Sequence, residues 1–446
     1  MNFSEKLSNS YSWEKRKLVE ITKKIGSGAT PRGGKGAYKE KGIPFIRSQN
    51  IYNCKFNSDG LVYINDEQAV KLNNVKLEKN DVLINITGDS VARCTKLPNE
   101  FIDGRVNQHV AIIRCNENFI DSDYLKYYLV NKETQMFLLS LAGSGATRAA
   151  LTKSMLENIE ISLPYIEEQK AIAKILSDLD EKIEVNNKIN KNLEEMAQAI
   201  FKQWFVDFEF PNEEGKPYKS SGGEMVKSEL GMIPKGWKVF YMEEFVNTYN
   251  GYSYKGKELT KSNDAMITIK NFDRKGGYKL DGLKEISISN KVKEHHYIDI
   301  NDIVIAHTDL TQGAEIIGNP IMVYSKGKYN KLIMSMDTVK VTSKKSNINN
   351  SLLYYIFKDL RFKSFALKFV NGTTVLHLSK TTIPKYKIAL PNDENILLKI
   401  GGILNSLTNK ISNNIIENER LEKLRDTLLP KLMSGEIRVP LEYSEN

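Results

Sequence analysis

The chain has 446 residues and a formal net charge of +9, and because one hydrophobic core rarely fills a chain of this length, two or more domains are expected. No apolar run approaches the roughly 20 residues that span a bilayer, and the polar N-terminus lacks the apolar core of a secretory signal. The three cysteines include no C-x-x-C pair and indicate neither a disulfide framework nor a zinc site, so a cytoplasmic protein is predicted.

The first segment, residues 1–164, alternates short strand-like runs with turns. The runs GIPFIRSQNI, DVLINITGDSV and HVAIIR are rich in branched apolar residues and are broken by Gly, Asn and Asp. One helix is predicted over 122–141. This pattern is typical of a mixed α/β domain.

Two loops of similar composition precede the most similar stretches of the two halves. The loop 142–150, AGSGATRAA, precedes LTKSMLENIEISLP, and the loop 370–377, VNGTTVLH, precedes LSKTTIPKYKIALP. Glycine permits close backbone approach, and the neighbouring side chains offer donors suited to phosphate oxygens or base edges. These donors are Thr147, Arg148, Thr373, Thr374 and Lys380. The alternative interpretation is a plain helix-to-strand connection.

Residues 165–208 carry a heptad pattern that predicts a long helix packed against a partner helix. Apolar residues follow one another at steps of four and three, interrupted only by Asn186 and Asn190. At about 1.5 Å per residue, some 40 residues form a rod of roughly 60 Å. Asparagines in such a seam reduce stability but can fix register and partner.

The same pattern returns 228 positions later, in residues 392–435, where Asn414 and Asn418 repeat the polar interruptions. Shared interruptions without a gap indicate an internal duplication, so the partner helix lies in the same chain. Residues 234–391 repeat the strand-and-turn plan of the first segment. Residues 209–233, rich in Gly, Ser, Pro and charge, are predicted to be a linker, and 436–446 a tail.

Charge is divided unevenly between these segments. The net charge is +5 over residues 1–166 and +11 over 234–391, but −4 over the first long helix, 167–210. A duplex carries closely spaced phosphate charges, so basic charge on two globular segments predicts a protein that binds nucleic acid at two places. A merely solvated surface would not require this segregation.

The chain resembles the specificity (S) subunit of Type I restriction–modification systems. The resemblance covers nearly the whole chain and is strongest in GSGATPRGGKGAYKEKGIPFIRSQNI, LPYIEEQKAIAKILSDLDEKI, AQAIFKQWFVDF and ELGMIPKGW. It implies an α+β fold in which two mixed α/β target-recognition domains are separated by two long antiparallel coiled-coil helices with internal pseudo-two-fold symmetry. The second copy departs from the pattern at 249–272, which lacks the Ala29-Thr30-Pro31 motif of the first copy.

The resemblance also implies which loops contact DNA. In the first copy these DNA-binding candidates are Thr30, Arg32, Arg47, Ser48, Asn50, Thr87, Ser144, Thr147, Arg148 and Lys153. In the second copy, where the assignment rests on position alone, they are Tyr252, Tyr254, Lys255, Lys270, Asn271, His307, Thr308, Thr373, Thr374 and Lys380. Neither catalytic nor metal-binding residues are predicted.

The implied partners are double-stranded DNA, two methyltransferase (M) subunits bound to the helices, and restriction/translocase (R) subunits. S-adenosylmethionine, ATP and Mg would be held by those partner subunits, and this chain would hold no cofactor. The chain lacks the Asn-Pro-Pro-Tyr/Phe signature of amino-methyltransferases. Its Walker A near-match, GYSYKGK, is followed by Glu258, where Mg²⁺ binding requires Ser or Thr. We therefore predict a DNA-recognition protein that is not itself an enzyme.

Three alternatives remain open at this stage. The chain could be the specificity module of another multisubunit DNA methylation or defence system. It could be a coiled-coil adaptor that binds no DNA, which the divided charge disfavours. A self-sufficient methyltransferase or nuclease would require activity of the purified single chain with S-adenosylmethionine or Mg²⁺.

Overall fold

The structure is a computed structural model that describes residues 13–143, 149–274 and 276–440. The chain divides into two compact units, which we call unit 1 and unit 2. Unit 1 combines residues 1–183 with 421–446, and unit 2 comprises residues 184–420.

Both units mix helices and strands. The helices are α1 Asp66–Lys71, α2 Ser122–Val130, α3 Lys132–Gly143, α4 Lys153–Glu157, α5 Ile166–Phe205, α6 Asn350–Lys358, α7 Leu360–Leu367, α8 Thr382–Lys385 and α9 Glu394–Met433. The strands of unit 1 are β1 Glu14–Lys17, β2 Thr22–Ser27, β3 Ile43–Ile46, β4 Ile51–Tyr52, β5 Lys55–Phe56, β6 Val62–Ile64, β7 Val82–Asn85, β8 Cys94–Lys96, β9 Arg105–Val106, β10 Val110–Cys115 and β11 Glu160–Leu163. The strands of unit 2 are β12 Met225–Ser228, β13 Gly231–Pro234, β14 Trp237–Tyr241, β15 Val246–Asn250, β16 Asp264–Ile267, β17 Lys284–Glu285, β18 Tyr297–Ile298, β19 Ile303–Ala306, β20 Thr308–Asp309, β21 Pro320–Met322, β22 Lys331–Met334, β23 Thr338–Ser343, β24 Val370–Asn371, β25 Leu376–Leu378 and β26 Lys387–Pro391.

Unit 1 is organised around an antiparallel sheet of order β2-β10-β7-β8. The residues of its central strands are buried except Arg114, because both faces are covered, which matches the mostly apolar sequence of β7 and β10. A second sheet of order β6-β3-β9 pairs β3 with β9 in parallel. Tyr124 and Tyr127 of α2 are completely buried in the core formed with the first sheet.

Unit 2 repeats this plan, which confirms the predicted duplication. Its antiparallel sheet has the order β15-β23-β19-β21, and a second sheet again contains a parallel pair, β16 with β22. The pairing of β14 with β26 reproduces that of β1 with β11. The helices follow the same order in both copies, so the predicted α+β class with a repeated mixed domain is correct.

The two long helices pair in antiparallel orientation. In unit 2, Asn186 Nδ2 donates to Asn418 Oδ1 at 2.9 Å, and Asn414 Nδ2 donates to Asn190 Oδ1 at 2.8 Å. One partner number rises as the other falls, which requires opposite chain directions. The four seam asparagines thus bond to each other across the helices, as the heptad pattern predicts.

In unit 1 the helix pair carries an ion pair in place of asparagines. Arg425 Nη1 lies 2.7 Å from Asp180 Oδ1, and Tyr127 donates its hydroxyl to Asp180 Oδ2 at 2.6 Å. Burial alone would lower the pKa of Arg425, but its hydrogen bond to Asp180 and the attraction between their charges raise that pKa above its ordinary value.

The segment 209–233, which its composition predicts to be a linker, has secondary structure of its own. Its second half contains β12 and forms most of a hairpin with β13. Phe210 stacks on Tyr218 and on Trp237, with ring centroids 4.7 Å and 5.2 Å away. These aromatic contacts attach the segment to the core of unit 2 despite its polar composition.

Candidate nucleic-acid interface

Three strand ends of unit 1 meet at one edge of its main sheet. The register pairs Ser27 with Ala111 and Val110 with Asn85, so the last residues of β2 and β7 flank the first residue of β10. The chain continues from these strand ends into polar residues. Thr30, Thr87 and His109 therefore lie at the same edge.

A chain of hydrogen bonds joins these side chains. The Thr30 hydroxyl donates to Gln108 Oε1, Gln108 Nε2 lies 3.0 Å from His109 Nε2, and His109 Nδ1 lies 2.6 Å from Thr87 Oγ1. The donors are consistent if Gln108 donates to Nε2 and the proton of the imidazole is on Nδ1. The Thr87 hydroxyl oxygen then accepts from His109 Nδ1. The hydroxyl proton of Thr87 therefore remains available for an external acceptor. We call Thr30, Thr87, Gln108 and His109 the first polar edge.

The predicted loop before α4 ends beside this edge. Leu151 donates its backbone N–H to the Ile86 carbonyl at 2.8 Å, and Gly88 donates to the Ala149 carbonyl at 3.1 Å. Ser144, Thr147 and Arg148, which were predicted to contact DNA, lie outside the described residues. Lys153 begins α4 with its side chain exposed, 3.4 Å from Glu157.

The turn after β3 contains three further candidates, and they have different roles in the structure. Asn50 is completely buried, and its polar groups are satisfied because its amide accepts from the Arg47 N–H and donates to the Asn57 carbonyl. The Arg47 guanidinium lies over the Tyr38 ring and donates to the Gly60 carbonyl at 2.7 Å. These two side chains thus hold the loop in place.

Two candidates remain at the surface of this region. The Ser48 carbonyl accepts from Asn85 Nδ2 at 2.9 Å, which attaches the turn to the strand end beside Thr87. Arg32 is exposed, and its carbonyl lies 3.4 Å from Gln68 Nε2. Ser48 therefore borders the first polar edge, and the Arg32 guanidinium is accessible to a ligand.

Unit 2 builds the corresponding edge with different side chains. Leu378 donates its N–H to the His307 carbonyl at 2.9 Å, as Leu151 does to Ile86, and Thr308 pairs with His377. Gly251 occupies the place of Gly28. A Cβ atom would lie 2.0 Å from the Ser335 carbonyl oxygen at Gly251 and 1.7 Å from the Val106 oxygen at Gly28. Only glycine permits these close approaches.

Four of the ten candidates in unit 2 are buried. Asn271 repeats the role of Asn50, since it accepts from the Thr268 N–H and donates to the Lys279 carbonyl. Tyr252 bonds through its hydroxyl to Glu258 and Ser289. His307 and Thr308 lie within the sheet connection. These four residues are buried. They therefore support the loops from within, whereas the sequence had predicted that their side chains contact DNA.

In the Walker A near-match, the carboxylate of Glu258 is hydrogen-bonded to residues of the same segment. It accepts from the Lys255 N–H at 2.6 Å and from the Tyr252 hydroxyl at 2.9 Å, and these bonds lower its pKa.

Burial lowers the pKa of His307, and the charges of Lys380 and His377 act in the same direction. The His307 ring is therefore neutral near pH 7.

The remaining candidates of unit 2 are accessible. Lys255, Lys270, Thr373, Thr374 and Lys380 are exposed, and Tyr254 is half-buried. Gln312 donates its amide to the Thr373 carbonyl, so the loop after β20 contacts the loop before β25. We call Thr373, Thr374, His377 and Lys380 the second polar edge.

Sequence reasoning missed several residues of these edges. His109 and His377 seemed isolated in the sequence because their neighbours in space come from other strands. Gln108 directly precedes His109 and joins two distant threonines. The available signals were that His109 begins the strand-like run HVAIIR and that His377 ends the predicted loop 370–377.

A repeated mixed α/β domain with a polar strand-end edge, combined with antiparallel coiled-coil helices, is the architecture of a two-domain specificity protein. The chain belongs to the family of Type I restriction modification DNA specificity domains, whose model matches residues 11–195 and 234–424. This finding confirms the resemblance identified from the sequence.

Individual relatives agree with the family match. The specificity subunit of the Type I restriction enzyme HindI from Haemophilus influenzae is 25% identical, over 95% of this chain and 99% of that protein. The MjaIX specificity subunit from Methanocaldococcus jannaschii is 27% identical, over 96% of this chain and 94% of that protein. The solved S subunit from M. genitalium has the same fold, with a TM-score of 0.53 at 16% identity and coverage of 96% and 97% of the two chains.

Within residues 13–143, 149–274 and 276–440, no helix is both long enough and apolar enough to cross a bilayer.

Proposed function

We propose that this chain is the DNA-recognition subunit of a Type I restriction–modification complex and that each of its two α/β domains reads one half of a bipartite site. The observation that carries the proposal is the repetition of one strand-end edge in both units, with different side chains at equivalent places. Ala150 and His377 hold the same position beside Thr87 and Thr308. One scaffold with two sets of side chains suits two different half-site sequences.

The charge and chemistry of the edges support DNA as the ligand. Hydroxyl, amide, imidazole and ammonium groups are the usual contacts to phosphates and base edges. The net charge of +11 over residues 234–391 and +5 over 1–166 would attract a duplex. Lys153 and Lys380, which occupy equivalent positions after the sheet connection, are proposed to contact the backbone. A role on chromosomal DNA implies the cytoplasm as the site of action.

The long helices are the proposed binding surface for two methyltransferase subunits, with restriction subunits joining the same complex. Val185, Ile189 and Met196 are exposed apolar residues of α5, and they lie outside the seam formed by the asparagines. Such residues favour contact with another protein. Native mass measurement should find two methyltransferase subunits for each copy of this chain, whereas a single subunit would contradict the symmetric assembly.

Catalysis is proposed to belong to those partners. The relatives are named as specificity subunits of restriction enzymes. On this proposal, S-adenosylmethionine, ATP and Mg²⁺ act on the partner subunits, and the purified chain alone neither methylates nor cleaves DNA.

The proposal is tested by removing one positive charge at a time from the complex that contains this chain. Lys153→Gln and Lys380→Gln should each weaken binding to the duplex and reduce the slope of log K against log salt by about one, because each removes one phosphate contact. If Lys380 contacts a base, the variant should instead relax one half-site.

Lys345→Gln is the matched control, because it removes the same charge from unit 2. Lys345 lies beyond the last residue of β23, whereas the second polar edge lies near the first residue of that strand. Equal effects of all three variants would mean that Lys153 and Lys380 act only through the general surface charge and make no specific contact. Selection from a randomised duplex library that yields no bipartite sequence would refute the proposal itself.

A further inference from the structure

The two units differ most clearly in one loop at the sheet edge, which follows β7 in unit 1 and β19 in unit 2. In unit 1, Asn85 exchanges backbone hydrogen bonds with Ala92 and Arg93, and residues 86–92 lie between the bonded partners. In unit 2, Ala306 bonds in the same way to Gly318 and Asn319, across residues 307–318. Unit 2 therefore has a longer loop at the same place.

A lysine from α7 holds this longer loop. Lys363 Nζ donates to the carbonyls of Ala314, Glu315 and Ile317 at 2.9, 3.2 and 2.6 Å, and to Asn319 Oδ1 at 2.9 Å. The three N–H donors of the ammonium group are shared among these four acceptors, three of which are backbone carbonyls of the loop. Burial lowers the pKa of this lysine to about 8, and the charge of Asp309 acts in the opposite direction.

A buried carboxylate holds the N–H groups of the same loop. Asp309 accepts from the Thr311 N–H and hydroxyl, both at 2.8 Å, and from the N–H groups of Ile316 and Ile317 at 2.8 and 3.3 Å. Burial raises the pKa of Asp309, but these hydrogen bonds outweigh it and lower the pKa below its ordinary value. Charge-assisted bonds of this kind are stronger than neutral ones. The loop is therefore fixed at both of its ends.

The fixed loop presents its middle residues outward. Leu310 is 66% exposed, and Gln312 and Gly313 are also exposed. The Gln312 amide donates to the Thr373 carbonyl, so the loop adjoins the second polar edge. It also forms one wall of a cleft of about 530 Å³ whose other wall includes Lys270, itself a DNA-binding candidate.

Unit 1 contains a smaller version of the same device. Gln135 lies on α3 at the position equivalent to Lys363, and its Nε2 donates to the carbonyls of Ala92 and Leu129 at 2.8 and 2.7 Å. Of these two carbonyls only that of Ala92 belongs to the loop, since Leu129 lies on α2, so a single bond from the glutamine amide holds the shorter loop. A side chain from the second helix thus holds the corresponding loop in both units.

We propose that residues 310–315 form a DNA-reading loop of unit 2, with Leu310 in contact with a base in the groove, and that Lys363 is the residue that positions this loop. The inference rests on the proposed function, since it names which segment distinguishes the half-site of unit 2. An exposed leucine suits the methyl group of thymine, the apolar feature of the major groove. A loop fixed before binding also loses less conformational entropy in the complex.

The test compares three variants of the full chain within its native complex. Lys363→Met removes the donors and keeps the stem, Lys363→Gln supplies the amide that unit 1 uses, and Gln135→Met makes the equivalent change in unit 1. Each complex is used to select duplexes from a randomised library, and discrimination is measured separately at each half-site. Circular dichroism and hydrogen exchange of the sheet strands establish that each variant is folded.

We expect Lys363→Met to reduce discrimination at one half-site by about 5- to 150-fold and to leave the other within about twofold, because the loss of one base contact should cost about as much as one mismatched base pair. Lys363→Gln should recover part of the loss. Gln135→Met should affect the opposite half-site. Leu310→Ala, which leaves the Lys363 bonds intact, should affect the same half-site as Lys363→Met.

The proposal would be overturned if folded Lys363→Met and Leu310→Ala both kept wild-type discrimination, or if either reduced both half-sites equally. The second outcome would give Lys363 a role in stability only. Failure of the proposed function would be recognised separately, because the wild-type complex would then select no bipartite sequence at all.

Discussion

The ion pair between the long helices of unit 1 provides a direct test of how this helix pair is held together. Arg425 stands in the seam of α9 where the first copy of the sequence has Ala197. Asp180 and Arg425 side chains are 18% and 22% exposed, so the pair is neither fully buried nor at the surface. Replacing Arg425 with Met keeps the apolar stem and leaves the carboxylate with the Tyr127 hydroxyl as its neutral partner.

The expected cost follows from that intermediate exposure. Removing one partner of a fully buried pair costs about 3–5 kcal/mol, whereas surface pairs contribute about 0–1 kcal/mol. We expect about 2–3 kcal/mol for Arg425→Met in unit 1. Adding Asp180→Asn should reduce the cost to about 1 kcal/mol, because no unpaired charge then remains and Tyr127 keeps an acceptor.

Hydrogen exchange of the full chain measures this effect locally. Peptides covering 172–183 and 421–433 should exchange about 30- to 140-fold faster in Arg425→Met, since each 1.4 kcal/mol corresponds to a factor of ten. Peptides covering 186–196 and 404–418, which contain the asparagine pairs, serve as the internal control in unit 2. Unchanged protection in Arg425→Met, or no recovery in the double variant, would refute the reasoning.

Three further predictions concern unit 2. Asn186→Leu should lower the free energy of unfolding by about 1–3 kcal/mol by leaving the Asn418 amide oxygen without its donor, and adding Asn418→Leu should restore stability in urea titrations. Gly251→Ala should cost about 2 kcal/mol or more and weaken binding to one half-site, whereas Gly256→Ala, whose Cβ meets nothing within 4 Å, should change neither the urea midpoint nor affinity. Because the pKa of Lys363 falls from 10.5 to about 8 on folding, the unfolded chain binds more protons above pH 8. Wild type, compared with Lys363→Gln, should therefore gain about 1 kcal/mol of stability between pH 7 and pH 9, and a loss over that interval would contradict the burial of this lysine near Asp309.

The features of this fold that could be predicted from the sequence are those encoded by periodicity. The heptad seam and its interruptions at Asn186 and Asn414 recur without a gap, so the duplication and the helix pairing could be derived without coordinates. The seam also contained Arg425, but its partner Asp180 lies outside the seam positions. A repeat identifies which faces meet, whereas the bonds of individual polar side chains depend on the packed structure.

The candidate site was less accessible to sequence reasoning, for the same physical reason. Asn50 and Asn271 follow strands and carry good donors, which is also the description of a residue that caps a turn from within. His109 gains its partners only when three strand ends meet in the sheet. The segment 209–233 resembled a linker because a few aromatic residues, among them Phe210, outweigh its polar majority once they stack on Trp237.

The comparison of the two units separates what the scaffold requires from what the ligand requires. Gly28 and Gly251 are retained because the backbone of a neighbouring strand leaves no room for a side chain, and Asn50 and Asn271 are retained because they cap the same turn. At the edges, in contrast, His377 of unit 2 stands where unit 1 has Ala150, and the loop after β19 is longer than the loop after β7. A fixed sheet with exchangeable loops allows the edge of a unit to change while the scaffold of that unit is preserved. The loops are not freely exchangeable, because the longer loop of unit 2 needs Lys363 on α7 to bond its carbonyls, where Gln135 serves the shorter loop of unit 1.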